Sequence, residues 1–287
     1  MENQTVDIEY NQQNIQEMQY NPKREHNIEL GTESTHHEYQ DKYDYDLEQE
    51  GHGLLMNKSQ VRYKFIQKVY SIITCQLALT SLLVFLALQS FWFAQNVAQS
   101  SFLLSFAFIG YFATTIILVC FREQARKVPN NYIWLFIFTL CLSLLVSSIC
   151  SHYAWTQEGI KNIQGQQIVL QAAGLTLFVT LSLTLFAFYT DKDYTVFGAG
   201  LFLSFVSIFF FGIFAILSGA QLMITLYLIL SVLIYGFYLI FDTQLLMDRK
   251  SLHLDIDDYI LGAVFIYTDI IMLFLRILEI LARAQNN

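Results

Sequence analysis

What most constrains this chain is a series of long apolar runs. They begin just after Tyr63 and cover residues 65–88, 102–121, 132–150, 168–189, 195–217, 221–247 and 259–282. About 20 consecutive apolar residues cross the hydrocarbon core of a bilayer as a helix. Lipid offers a backbone amide no hydrogen-bond partner, so each run must satisfy its own backbone helically. The expectation is an all-α membrane protein, a bundle of seven transmembrane helices. The two prolines agree: Pro22 precedes every run, and Pro129 stands just ahead of the third, where a missing N–H costs little.

Charge divides the chain in two. Residues 1–57 hold 13 Asp/Glu against Lys23, Arg24 and Lys42, whereas residues 58–287 are close to neutral. The first segment is rich in Asn, Gln, Glu and Tyr and poor in branched aliphatics, so it is expected to stay a disordered acidic tail. Residues 58–287 form the membrane domain. No apolar stretch precedes it, so its first run is expected to address the chain to a membrane. Only 14% of the residues are charged, where soluble domains carry roughly a quarter. No basic stripe is present to neutralise phosphates, which argues against a nucleic-acid partner and leaves the lipid bilayer as the main one. Cys75, Cys120, Cys141 and Cys150 fall in or beside apolar runs without paired spacing, and are expected to act as small core hydrophobes.

The lysines and arginines of the short loops give a direction. Alternate connections carry Arg122, Arg126 and Lys127, then Lys192, then Arg249 and Lys250, while the opposite side has Lys161 before the final Arg283. Positive charge collects on the cytosolic side, so the N-terminus and its tail are expected there. With seven full spans the C-terminus lies opposite; with a re-entrant last segment both ends are cytosolic.

Charges inside membrane helices are costly and normally pair or line an aqueous path. The sixth run sets Tyr227, Ser231, Tyr235, Tyr238 and Asp242 on one helical face, and the seventh sets Asp269, Arg276 and Glu279 on one face. Two antiparallel helices joined by a short polar loop turn such stripes inward. With the sixth helix ending near Lys250, Asp242 lies roughly 12 Å from that end, and Asp269 lies roughly 15 Å from a start near Tyr259. The two carboxyls then fall at similar depth. Two carboxylates about 4 Å apart repel by roughly 4 kcal/mol at an effective dielectric near 20, which favours one proton shared between them. On spacing alone, a second reading stays open: Asp242 frays at the interface and Asp269 pairs elsewhere in the bundle. Arg276 and Glu279, three residues apart, read as a structural ion pair. In the fifth run Gly200, Ser204 and Ser207 suggest a close helix contact. No metal spacing, nucleophile elbow or phosphate loop occurs, so an enzyme is the least favoured class.

The C-terminal third carries a specific pattern. Tyr238-Leu-Ile-Phe-Asp242-Thr-Gln-Leu-Leu246, then Asp258-Tyr-Ile260, then Ile266-Tyr-Thr-Asp269-Ile-Ile-Met-Leu-Phe-Leu275 closely resembles the transmembrane Bax inhibitor motif family (Bax inhibitor-1-like), in its Lifeguard branch. The resemblance extends through Lys127-Val-Pro129 with Asn131-Tyr132 to Val61-Arg62, Phe65-Ile66 and Lys68-Val69-Tyr70-Ser71, and covers about residues 60–285. It implies a bundle whose central seventh helix is wrapped by the other six. It also implies a pH-sensitive calcium leak of the endoplasmic reticulum or Golgi, a role in calcium homeostasis, and suppression of cell death. The family's proton-sensing pair matches Asp242 and Asp269, with Arg122 as the arginine that engages it. Those two carboxylates also mark the calcium path, with calcium as permeant ion, no cofactor and no tightly bound metal. Bacterial relatives carry an acid in the second helix, whereas Phe108-Ile-Gly-Tyr-Phe112 here has none. The rival class is a membrane-anchored interaction protein that regulates apoptosis through death-pathway or receptor partners without ion flux. A seven-helix receptor fits the helix count but not the charge bias.

Overall fold

The computed structural model describes residues 33–156, 158–247 and 254–286, with side chains placed from residue 60 to residue 285 of these. The chain divides into a unit of residues 1–59 and a membrane unit of residues 60–287. The expectation of a disordered tail falls partly on residues 1–32, outside the described residues; from Glu33 the backbone is assigned to helix. Among the described residues, seven helices are long and apolar enough to cross a membrane. They are α1 (Glu33–Gln89, of which Gln60–Gln89 is the span), α2 (Ser101–Cys120), α3 (Asn130–Ala154), α4 (Ile163–Tyr189), α5 (Gly198–Ser218), α6 (Gln221–Leu246) and α7 (Tyr259–Asn286). No strand occurs among the described residues.

Boundaries follow local chemistry that hydropathy does not register. α4 starts five residues before its apolar run, because the Asn162 side chain accepts from the Gly165 amide at 3.1 Å and caps a polar first turn. α5 ends where Gly219 takes a left-handed φ of 62°, and the two-residue link Gly219–Ala220 returns the chain directly into α6. α6 stops at Leu246, short of the expected Lys250. The Leu254 amide donates to the Leu245 carbonyl at 3.2 Å.

α7 is the axis of the bundle. It packs on α2, α3, α4 and α6, and reaches α1 through a Tyr267–Thr80 hydroxyl contact of 2.8 Å. In its most apolar window 67% of residues are buried, against 17% in α2 and in α5, which identifies it as the enclosed helix. α5 packs chiefly on α6. Gly200 meets open space, while the Ser204 and Ser207 hydroxyls turn back onto their own helix at 2.9 Å each. The small-residue contact of α5 lies instead at Gly212, where a methyl group would stand 2.7 Å from the Tyr227 ring. All four cysteines are free thiols. Cys141 and Cys150 fill the core as expected, but Cys75 and Cys120 lie on exposed faces.

Away from the lipid-facing surface, the α1–α3–α7 interface is hydrogen-bonded. Tyr267 and Ser143 meet the Thr80 hydroxyl, which donates to the Gln76 carbonyl at 2.9 Å, and the Gln76 amide donates to Thr139 at 2.9 Å. All five side chains are buried. In an apolar medium such a node fixes register more sharply than packing alone, because breaking it strands polar groups.

Gly165 makes the tightest helix contact. A Cβ there would stand 1.8 Å from the Tyr153 carbonyl oxygen, so backbone would have to move. Gly174 in the same helix meets nothing within 4 Å. Gly165→Ala is expected to cost about 2 kcal/mol or more, and Gly174→Ala to leave stability within about 0.5 kcal/mol. Thermal unfolding of the purified variants in detergent checks both.

Candidate functional site: a buried carboxyl pair

The polar stripe of α6 faces inward as its spacing predicts: Ser231 and Asp242 are buried, and Tyr227, Tyr235 and Tyr238 are partly so. Asp242 is 9% exposed and Asp269 on α7 is 7% exposed, so both carboxyls are withdrawn from solvent and lipid. They are hydrogen-bonded to one another across the α6–α7 seam. Asp269 Oδ2 itself is buried with no hydrogen-bond partner among the described residues. A carboxylate only accepts, so this contact needs one proton between the two groups. If both ionise, the same place holds two like charges and up to four oxygen donors.

The way the two residues reach one depth differs from the simple count. α6 ends at Leu246, which puts Asp242 roughly 6 Å from that end instead of 12 Å. α7 begins farther out, after a 3-10 turn at Ile256–Asp258, and Gly262 is level with the end of α6. A Cβ at Gly262 would stand 2.6 Å from the Leu246 side chain. From Gly262, Asp269 is seven residues along, roughly 10 Å, and the remaining offset is bridged by the two side chains.

Three connections brace this end of the bundle. The Gln244 side chain, two residues from Asp242, accepts from the Tyr194 amide at 2.7 Å and donates to the Lys192 carbonyl at 3.0 Å, clipping the α4–α5 loop to α6. Tyr238 donates to the Leu201 carbonyl of α5 at 2.8 Å. Arg62 of α1 donates to the Leu254 and Leu245 carbonyls at 2.7 and 3.3 Å, closing the turn between α6 and α7.

Arg122 does not join the pair. It is exposed at the start of the short helix Arg122–Arg126, with no ion pair among the described residues. One turn on, Arg126 takes the structural role. Its guanidinium grips the buried Asp258 with two hydrogen bonds of 2.7 Å and reaches Asp255 at 2.8 Å. Asp258, then Asp255, hold the Arg126 guanidinium above its already high ordinary range, so it stays cationic throughout. The α2–α3 connection is thereby tied to the start of α7, which Asn131 also holds by donating to the Tyr259 hydroxyl at 2.8 Å. Gln244, Arg126 and the Tyr267 node escaped the sequence reading. Gln244 lay inside the recognised motif, and α3 spelled out its inward face in hydroxyls at Thr139, Ser143, Ser147 and Ser151, four residues apart. For Arg126 against Arg122 the sequence offered no signal.

Residues 62–287, the whole membrane unit, match the family model described as inhibitor of apoptosis-promoting Bax1. The chain belongs to this Bax inhibitor-1-like family. Similar proteins include Protein LIFEGUARD 4 of Arabidopsis thaliana, 32% identical over 80% of this chain and 89% of the relative. Protein lifeguard 3 of Homo sapiens is 31% identical over 77% and 69%. Bax inhibitor 1 of Schizosaccharomyces pombe is 29% identical over 79% of each. In this Bax inhibitor-1-like chain the matched region includes both carboxyls and every brace described above.

The two arginines make a direct contrast. Removing Arg126 leaves Asp258 buried and unpaired, which costs about 3–5 kcal/mol for a fully enclosed pair. The Arg126 side chain is 35% exposed and water offsets part of this, so Arg126→Gln is expected to lose about 1–2 kcal/mol. Arg122→Gln should stay within about 0.5 kcal/mol of the parent. Denaturation in one detergent, followed by intrinsic fluorescence, separates them.

Proposed function

We propose that this chain is a pH-sensitive calcium leak of an intracellular membrane, gated by the proton shared between Asp242 and Asp269. The observation that carries the reading is the contact of two buried carboxyls across the α6–α7 seam, in a chain of the Bax inhibitor-1-like family. With the proton in place the pair is a latch between α6 and α7, and the conformation described is the closed one. Loss of the proton leaves two like charges about 4 Å apart, repelling by roughly 4 kcal/mol at an effective dielectric near 20. That is enough to push α6 and α7 apart along a seam lined with tyrosines. The same event creates a doubly negative, oxygen-lined position.

Calcium takes six to eight oxygens, so two carboxylates completed by carbonyls and water hold it weakly, which suits passage more than storage. Calcium is the permeant ion in this reading, and no cofactor takes part. The Lys/Arg bias of the loops supports a cytosolic N-terminus, which puts the latch towards the cytosolic side. The host membrane is the endoplasmic reticulum or Golgi, and the leak serves calcium homeostasis. Arg122 does not hold this closed conformation, where the carboxyls hold each other.

The names of the relatives favour suppression of cell death as the cellular outcome. They also support the second reading, an anchored protein that acts on death-pathway or receptor proteins without ion flux. In purified protein reconstituted into liposomes, calcium flux should rise as pH increases from 5 to 8. Asp242→Asn and Asp269→Asn should each flatten that dependence; a wild-type pH profile in both variants removes the latch. Deletion of residues 1–57 discriminates the two readings, because a leak keeps its liposome flux whereas an interaction protein loses its effect in cells.

A further inference from the structure

The α6–α7 seam continues beyond the carboxyl pair, and its other half carries a charge that the latch does not use. Arg276 lies seven residues past Asp269, so it stands on nearly the same face of α7 and roughly 10 Å farther along the seam. Its guanidinium turns towards α6: it lies 5.0 Å from the centre of the Tyr227 ring and within electrostatic reach of Tyr235. Tyr235 is also within electrostatic reach of Asp269. The carboxyl pair, Tyr235 and Arg276 therefore form one polar column inside the seam.

The ion pair expected between Arg276 and Glu279 is loose. The closest approach is 3.7 Å, beyond hydrogen-bonding distance, and involves one guanidinium nitrogen. Glu279 is held instead by Arg283, at 3.0 and 3.3 Å from two nitrogens, and Arg283 also donates to Gln221 at 3.0 Å. One carboxylate thus serves two guanidinium groups, and this half of the seam is left with a net positive charge. Arg276 is also incompletely satisfied, since its Nε is buried with no hydrogen-bond partner among the described residues.

We propose that Arg276 is the barrier to divalent cations on the luminal half of the α6–α7 seam, a fixed positive charge in series with the carboxyl pair. The proposal rests on the calcium-leak reading and adds to it the residue that sets how slow the leak is. An ion moving from the lumen meets Arg276 before the carboxylates, and the work of passing a fixed charge scales with the charge of the ion. Calcium is therefore held back twice as strongly as potassium on the free-energy scale. The Tyr227 ring lies against the guanidinium on the α6 side.

The test is flux of calcium and of potassium through the full-length protein in liposomes at pH 7.5, with Asp242→Asn alongside. Arg276→Gln should raise calcium flux by about tenfold and potassium flux by about threefold, the ratio that a charge-scaled barrier demands. Arg276→Lys keeps the charge and should stay close to the wild type. Glu279→Gln leaves Arg276 in place, adds to the net positive charge, and should slow calcium severalfold, so the inference remains testable if the Arg276 variants fold poorly. Unchanged calcium flux in Arg276→Gln overturns the inference, as does equal acceleration of both ions. So does an Arg276→Lys variant that behaves like Arg276→Gln, or a Glu279→Gln variant no slower than the wild type. Wild-type flux that depends on pH while these variants are unchanged removes the barrier and keeps the latch. Absence of flux in the wild type and all variants removes both.

Discussion

Within a bundle of apolar helices a buried polar side chain is costly unless it is hydrogen-bonded, and the bonds made between helices organise the interior. Lipid provides no hydrogen bonds, so every inward donor or acceptor that remains unmet counts fully against the fold. The partners are found around α7. On one face Tyr267 meets Thr80 and Ser143 from α1 and α3. On the other face Asp269 meets Asp242 of α6. α7 is central because it carries polar side chains on opposite faces, and each face needs its own neighbours.

The two faces are built for different behaviour. Around Tyr267 the groups are neutral hydroxyls and an amide, with each hydroxyl proton assignable to an acceptor. Across the seam, by contrast, two carboxyls meet, and a hydrogen bond between carboxyls needs a proton. The loops around the seam support this division. Gln244, Arg62 and Arg126 clamp the connections on either side of the pair, so a change at the pair meets a stiff frame.

Much of the fold was legible in the residues. The apolar runs gave the helices, and the three- and four-residue steps from Tyr227 through Ser231, Tyr235 and Tyr238 to Asp242 gave the inward face of α6. The similar depth of Asp242 and Asp269 was also legible, although the geometry behind it was not. α6 stops at Leu246 and α7 starts beyond it, and the level of the pair is set where Gly262 passes Leu246. Helix-end counting cannot find that meeting point, because it depends on which side chains leave room for two backbones to approach. The small residues of α5 misled for a related reason: a stripe of Gly and Ser allows close contact without supplying a partner, and the partner of α5 was at Gly212.

The sequence by itself determined that the chain carries seven runs long and apolar enough to cross a membrane, which helix faces are polar, and to which family it belongs, because these depend on local periodicity, composition and motif. Only the tertiary structure decided which arginine meets which acid. Arg122 and Arg126 are one turn apart and equal in charge, and Glu279 is within reach of both Arg276 and Arg283. A carboxylate chooses between such neighbours by a few ångströms of position, and those distances arise only when the helices have packed.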